Sequence, residues 1–164
     1  MTEDNDPKTL AKLTNDENPD MRDSVALNPS TPQEVLAKLA NDENPDVRWR
    51  VALNSSAPPE ALIILANDDS KHVRMAVAEN PSTPVEALAK LTNDENADVR
   101  RSVALNPSTP VEVLRQQRIA KACDLVRDRV STRKAAVVLG VSKSEAHRLL
   151  VRAKSVLAEI GEVQ

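Results

Sequence analysis

The sequence predicts an all-α chain: an array of two-helix repeats over residues 1–112, followed by a three-helix unit over 113–164. Three observations lead there. A 26-residue period runs through the first part, with cap residues and prolines at fixed places in it. Aromatic residues are almost absent, with Trp49 alone and no Phe or Tyr, so packing must be thin and repeated between Leu, Val and Ala. Charge changes sign where the period ends. Residues 1–112 carry 11 Lys+Arg against 20 Asp+Glu, a balance of −9, and residues 113–164 carry 11 against 5, a balance of +6. Such asymmetry suggests two parts with different partners.

The period is read from several columns at once. NPSTP starts at Asn28, Asn80 and Asn106, with NSSAP at Asn54. NDEN starts at Asn15, Asn41 and Asn93, with NDDS at Asn67. Arginine recurs at 22, 48, 74 and 100, and Val-Ala at Val25, Val51, Val77 and Val103. No NPST segment precedes the first unit.

Each unit reads as two short helices. Thr31 is expected as N-cap, Pro32 as the first helical residue and Glu34 as the third, a capping box. Thr83-Pro84-Val85-Glu86 and Thr109-Pro110-Val111-Glu112 repeat it, whereas Ala57 replaces the threonine and should soften that helix start by about 1 kcal/mol. Val35, Leu36 and Leu39 form a buried stripe. NDENPD stops the helix, Asn44 caps the next and Pro45 opens it. Val47, Val51 and Leu53 are expected to face inward. Neither helix is long enough to stand alone in water, so each unit must stack on its neighbours, as in a solenoid. Leu10, Leu36, Leu62, Leu88 and Leu114 should then form one column, and Leu13, Leu39, Leu65 and Leu91 another.

The motif NPSTPxExLAxLxNDENxDVRxxVAL, over residues 7 to about 112, resembles the leucine-rich repeat variant family. That resemblance implies a right-handed superhelical solenoid of alternating α- and 3₁₀-helices; an acidic solenoid of this kind would present a protein-interaction surface. Some family members bind an iron–sulfur cluster through N-terminal cysteines. The first cysteine here is Cys123, so no cofactor is carried over.

Within the array, the arginine column either pairs with NDEN carboxylates or binds an anion. His72 interrupts the Asp20, Asp46, Asp98 column and has no companions for a metal site or a base. Trp49 lies in the column Asp23, Trp49, Met75, Arg101. Trp49 and Met75 either anchor a protein partner or cover their neighbours. Enzyme chemistry finds little support: there is no glycine-rich phosphate loop, glycine-flanked serine or HExxH.

After Leu114 the period breaks. Ile119, Ala122, Cys123, Val126 and Val130 mark one face of a helix expected over about 119–130, with no Gly or Pro separating it from Thr109–Glu112. Ser131 or Thr132 caps a short helix ending at Leu139. Gly140, one of two glycines in the chain, stands where a left-handed C-cap is wanted. Ser142 and Glu145 form the next capping box, opening a helix from Lys143 to about Ala158. Ala135, Leu139, Val141, Ala146 and Leu149 are apolar where the two helices meet, and Ala136 is small where they should approach most closely. Two helices joined by a tight glycine-containing turn are a helix-turn-helix signature. Cys123 is read as a small core residue.

Residues 117–155 resemble the helix-turn-helix DNA-binding domains of bacterial regulators. This implies a recognition helix starting at Lys143, with Ser142, Lys143, Ser144, His147, Arg148 and Val151 facing the major groove of double-stranded DNA. Arg148 is the candidate for guanine and Ser144 for a base edge or phosphate. Arg133, Lys134, Arg152 and Lys154 would hold phosphates. A homodimer, or a partner recruited by the repeats, would add affinity. The other reading is a protein–protein scaffold whose C-terminal helices cap the array or dock a partner. The acidic start MTEDNDPK is unlike a signal peptide, no apolar run reaches the ~20 residues of a membrane span, and a reducing cytoplasm is the simplest setting.

Overall fold

The computed structural model describes residues 6–159; Met1–Asn5 of the acidic start and Gly161 lie outside them. Among the described residues there are eleven α-helices and no strand. The chain divides into two compact units, Met1–Pro110 and Val111–Gln164.

The first unit alternates seven- and nine-residue helices: α1 (Pro7–Leu13) and α2 (Pro19–Leu27), α3 (Gln33–Leu39) and α4 (Pro45–Leu53), α5 (Pro59–Leu65) and α6 (Lys71–Glu79), α7 (Val85–Leu91) and α8 (Ala97–Leu105). The nine-residue helices pack side by side, α2 on α4, α4 on α6 and α6 on α8. The seven-residue helices form a second row, with α3 on α5 and α5 on α7. Leu36, Leu62 and Leu88 are fully buried between the rows, as are Val47, Val51, Val73 and Val77. Leu10, Leu39, Leu65 and Leu91 join the same core, and Leu13 and Val35 pack against it half-buried. Leu114 falls in the second unit and is half-buried there.

Three expectations need correction. First, both helices of each repeat are α-helical, so the alternation with 3₁₀-helices is not found among the described residues. Three-residue hydrogen-bond spacing recurs in the turns and at helix ends, as in Asn41 N–H to Lys38 O after α3 and Thr31 N–H to Asn28 O before it. Second, the threonines of NPST are not N-caps. The cap position is held by Pro32, Pro58 and Pro84, none of which makes a side-chain cap hydrogen bond. The buried hydroxyls of Thr31 and Thr83 reach back instead, each donating at 2.6 Å to the carbonyl of Val25 or Val77. Those carbonyls belong to the last turn of the preceding nine-residue helix, where acceptors lack intrahelical donors. Ala57 therefore deprives the end of α4 of a donor, not the start of α5. Third, Leu53 points outward at 41% exposure, as do Leu27 and Leu105. The sequence carried a hint: Glu79 occupies the same column.

The asparagine caps hold as expected. Asn18, Asn44 and Asn96 each accept from the backbone N–H two residues on, at 2.8–2.9 Å, which satisfies one of the helix's orphan donors.

A buried asparagine ladder ties repeat to repeat. Asn54, Asn80 and Asn106 each donate through Nδ2 to two carbonyls of the preceding unit. For Asn80 these are Ala52 O at 2.7 Å and Asn54 O at 3.1 Å. The same side chains accept from Ser56, Ser82 and Ser108 N–H at 2.8–2.9 Å. One amide thus closes its own turn and joins two units.

Candidate nucleic-acid interface

The second unit is built from α9 (Val111–Arg127), α10 (Thr132–Leu139) and α11 (Lys143–Glu159). Its core is Ala122, Cys123, Leu125, Ala135, Leu150, Ala153 and Leu157, with Ile119, Val126, Val130, Leu139 and Leu149 packed against it. Alanine at 122, 135, 146 and 153 is fully buried. Such small residues let helix axes approach closely, since interaxial distance follows side-chain size. Ala136, expected at the closest approach, is only half-buried; Ala135 holds the covered position. The Cys123 thiol is buried and donates to Ala153 O at 3.8 Å.

α9 ends earlier than the apolar pattern suggests. Arg129 takes φ +53°, and Val130 N–H returns to Leu125 O at 2.9 Å. A left-handed residue with a six-to-one hydrogen bond is a Schellman-type stop. Apolar periodicity cannot foresee it, because arginine is an uncommon residue there. Ser131 then caps α10 by accepting from Lys134 N–H. At the other end Gly140 has φ +64°, and Val141 N–H donates to Ala136 O at 3.0 Å. Ser142 Oγ accepts from Glu145 N–H at 3.2 Å and starts α11.

This geometry places the candidate residues. Arg133 and Lys134 are exposed on the first turn of α10. Ser142 is exposed in the cap, and Lys143, Ser144, His147, Arg148, Val151, Arg152 and Lys154 are exposed on α11. At 3.6 residues per turn the α11 residues share one half of the helix, opposite buried Ala146, Leu150, Ala153 and Leu157. His147, Val151 and Lys154 also line an open concavity of about 800 Å³, together with Arg129, Ser131 and Thr132. Arg129 was not singled out from sequence, and Thr132 only as an alternative cap. The signal was positional only: Arg129 lies two residues before the cap that starts α10 and Thr132 directly after it.

The charges here differ from the arginine column of the repeats. Among the described residues no carboxylate pairs with Arg133, Lys134, Lys143, Arg148, Arg152 or Lys154 within 4.0 Å. The only acid in the first turn of α11, Glu145, faces Arg118 at 3.5 Å. In the repeats, by contrast, Arg22, Arg48 and Arg74 each grip the aspartate of the following repeat, Asp42, Asp68 or Asp94, at 2.6–2.7 Å. Each also donates to two carbonyls of its own NDEN or NDDS turn. Those guanidiniums are therefore held by structure, not offered to an anion. The hydrogen bond to aspartate raises each of the three arginines further above its ordinary value, against the pull of burial. Burial pushes Asp42 and Asp94 up, but the arginine hydrogen bond, a backbone N–H and nearby guanidinium charge outweigh it and hold both below the usual carboxylate value. Arg100 keeps the two turn carbonyls, but the position 26 residues past Asp94 is Ala120.

Trp49 and Met75 are half-buried and pack against the repeat core. The Arg50 guanidinium lies 4.7 Å from the Trp49 ring centroid and bridges to Asp23 at 2.9 Å. His72 is exposed. No group of three or more His, Cys, Asp or Glu among the described residues is placed to hold a metal ion. No helix among them is long and apolar enough to cross a membrane.

Residues 72–96 match the leucine rich repeat variant family. The matched stretch runs from α6 through α7 into the NDEN turn, one residue short of a full period of the array, and it supports the repeat reading. No curated protein and no solved structure matches the chain.

Proposed function

We propose that this chain is a DNA-binding protein, a bacterial transcriptional regulator or adaptor. Residues 111–159 act as a helix-turn-helix domain, and the repeats form a right-handed solenoid that serves as its protein-interaction surface. The observation that carries the reading is the set of six exposed cations on α10 and α11 that, among the described residues, meet no carboxylate within 4.0 Å. A helical cap has no use for uncompensated positive charge, whereas a polyanion does. Arg148 and Ser144 read base edges in the major groove, and His147 and Val151 lie beside them on the same stripe. Arg133, Lys134, Arg152 and Lys154 hold phosphates, which fix register without reading sequence. α11, with 17 residues, is about 26 Å long, enough to follow that groove.

Arg148→Ala in the intact protein should relax base preference and cost about 1–3 kcal/mol on the preferred duplex. Lys134→Ala should weaken binding to all sequences alike. The experiment is a duplex-binding titration of both variants over a randomised sequence set. Unchanged affinity in both would overturn the groove assignment and favour a scaffold whose last helices only cap or dock.

A further inference from the structure

The nine-residue helices stack side by side, so outward positions of equal register line up across repeats. Three such rows face solvent. One is acidic: Asp20, Asp46 and Asp98 are exposed, with His72 standing in for the third member. One is apolar: Leu27 is 54%, Leu53 41% and Leu105 74% exposed, with Glu79 in the third place. Between them runs the column Asp23, Trp49, Met75, Arg101, with Trp49 and Met75 half-buried against the core. Singly exposed leucines are ordinary. A row of them parallel to a row of aspartates, with the chain's only tryptophan between, is a two-sided track.

The spacing of the track fits one kind of occupant. Neighbouring packed helices lie about 8–10 Å apart. A helix laid across them advances about 10.5 Å in seven residues. Each heptad of such a helix therefore meets one repeat and can set one residue against each row. Leucine-like residues at one position would pack on Leu27 and Leu53. Basic residues at another would meet Asp20 and Asp46. At α6 the two rows exchange character, because His72 replaces the acid and Glu79 the leucine. That inversion gives the track a defined register.

We infer that this face of α2, α4 and α6 binds a basic amphipathic helix of a partner protein. The inference rests on the reading of the repeats as a protein-interaction surface and gives the partner its chemistry. Charge complementarity chooses the occupant: the repeat part is strongly acidic, Asp20 and Asp46 meet no cation within 4.0 Å among the described residues, and Arg50, the cation over Trp49, is already bridged to Asp23 at 2.9 Å.

Trp49 reports on the site from within, since its fluorescence is the only tryptophan signal of the full-length protein. The probe is a synthetic 21-residue helical peptide of three Leu/Lys heptads. The two controls are a permuted peptide of the same composition and a version with Glu for each Lys. The Leu/Lys peptide should shift Trp49 emission saturably, and the permuted peptide should bind at least tenfold more weakly. Leu53→Ala, and the pair Asp20→Asn with Asp46→Asn, should each weaken the peptide while leaving duplex binding unchanged. Equal binding of the permuted peptide would overturn the inference, as would binding of the Glu peptide, though either would leave the repeats a protein-binding surface. Absence of any emission change with all three peptides would overturn both the inference and that reading. A protein that doubles in mass with a concentration-dependent Trp49 shift would show a second copy on the face and would also overturn it.

Discussion

Asn80→Ala tests the joint between repeats. Asn80 is 3% exposed and makes three hydrogen bonds: donation to Ala52 O at 2.7 Å and Asn54 O at 3.1 Å, and acceptance from Ser82 N–H at 2.8 Å. The three losses are unequal. Asn54 O keeps Ala57 N–H at 3.0 Å, so it loses only a second donor. Ser82 is exposed and water can reach its N–H. Ala52 O lies in the last turn of α4, where helix carbonyls lack intrahelical donors, and an unmet buried carbonyl costs about 1–3 kcal/mol. With about 0.5–1 kcal/mol for each of the other two, the substitution should destabilise by about 3 kcal/mol. Ser82→Ala, on the surface of the same turn, should stay within about 0.5 kcal/mol. Urea unfolding followed by far-ultraviolet circular dichroism measures both, with midpoint and slope read together because a repeat array can lose cooperativity. If Asn80→Ala costs no more than Ser82→Ala, the ladder does not join the units.

Leu62→Ala, in the middle of the fully buried leucine column, should cost about 2–5 kcal/mol in the same assay; a loss below 1 kcal/mol would mean the rows are loosely packed. Asp42 and Asp94 are held below the ordinary carboxylate value of 3.8, so the stability they contribute is fully present above that value and is lost as pH falls through their lower folded values. The urea midpoint should therefore drop below about pH 4, less steeply in a variant carrying Asp42→Asn and Asp94→Asn; identical profiles would contradict the link. Gly140→Ala introduces a Cβ that meets nothing within 4 Å at φ +64°, so the cost should be backbone strain alone, about 1 kcal/mol, seen as a lower thermal midpoint with unchanged helical signal.

The repeat was legible because many weak signals shared one period. Caps at Asn18, Asn44 and Asn96, the leucines at 36, 62 and 88, and the arginine column could each mislead alone, yet all returned every 26 residues. What stayed hidden was the direction of side-chain hydrogen bonds. A buried threonine before a proline reads as a cap, but Thr31 meets a stronger demand from the Val25 carbonyl behind it. Leu53 was read as inward because it is apolar, although Glu79 in its column already argued otherwise. In the second unit the glycine at 140 announced its turn, whereas Arg129 announced nothing, since its left-handed backbone follows from the returning bond of Val130. The candidate cations were legible as a charge excess. Their freedom from carboxylate partners was not, because that depends on where Glu145 and Arg118 meet.

The most direct test of the central claim is the affinity of the intact protein for duplex DNA as a function of salt. Each phosphate contact contributes a slope of about −0.9 to log K against log salt, so six unpaired cations predict a slope approaching about −5. Tight binding at low salt with a slope between about −3 and −5, reduced by about one in Lys134→Ala, is the predicted result. Absence of duplex binding at low salt, or an affinity indifferent to salt, would contradict the account.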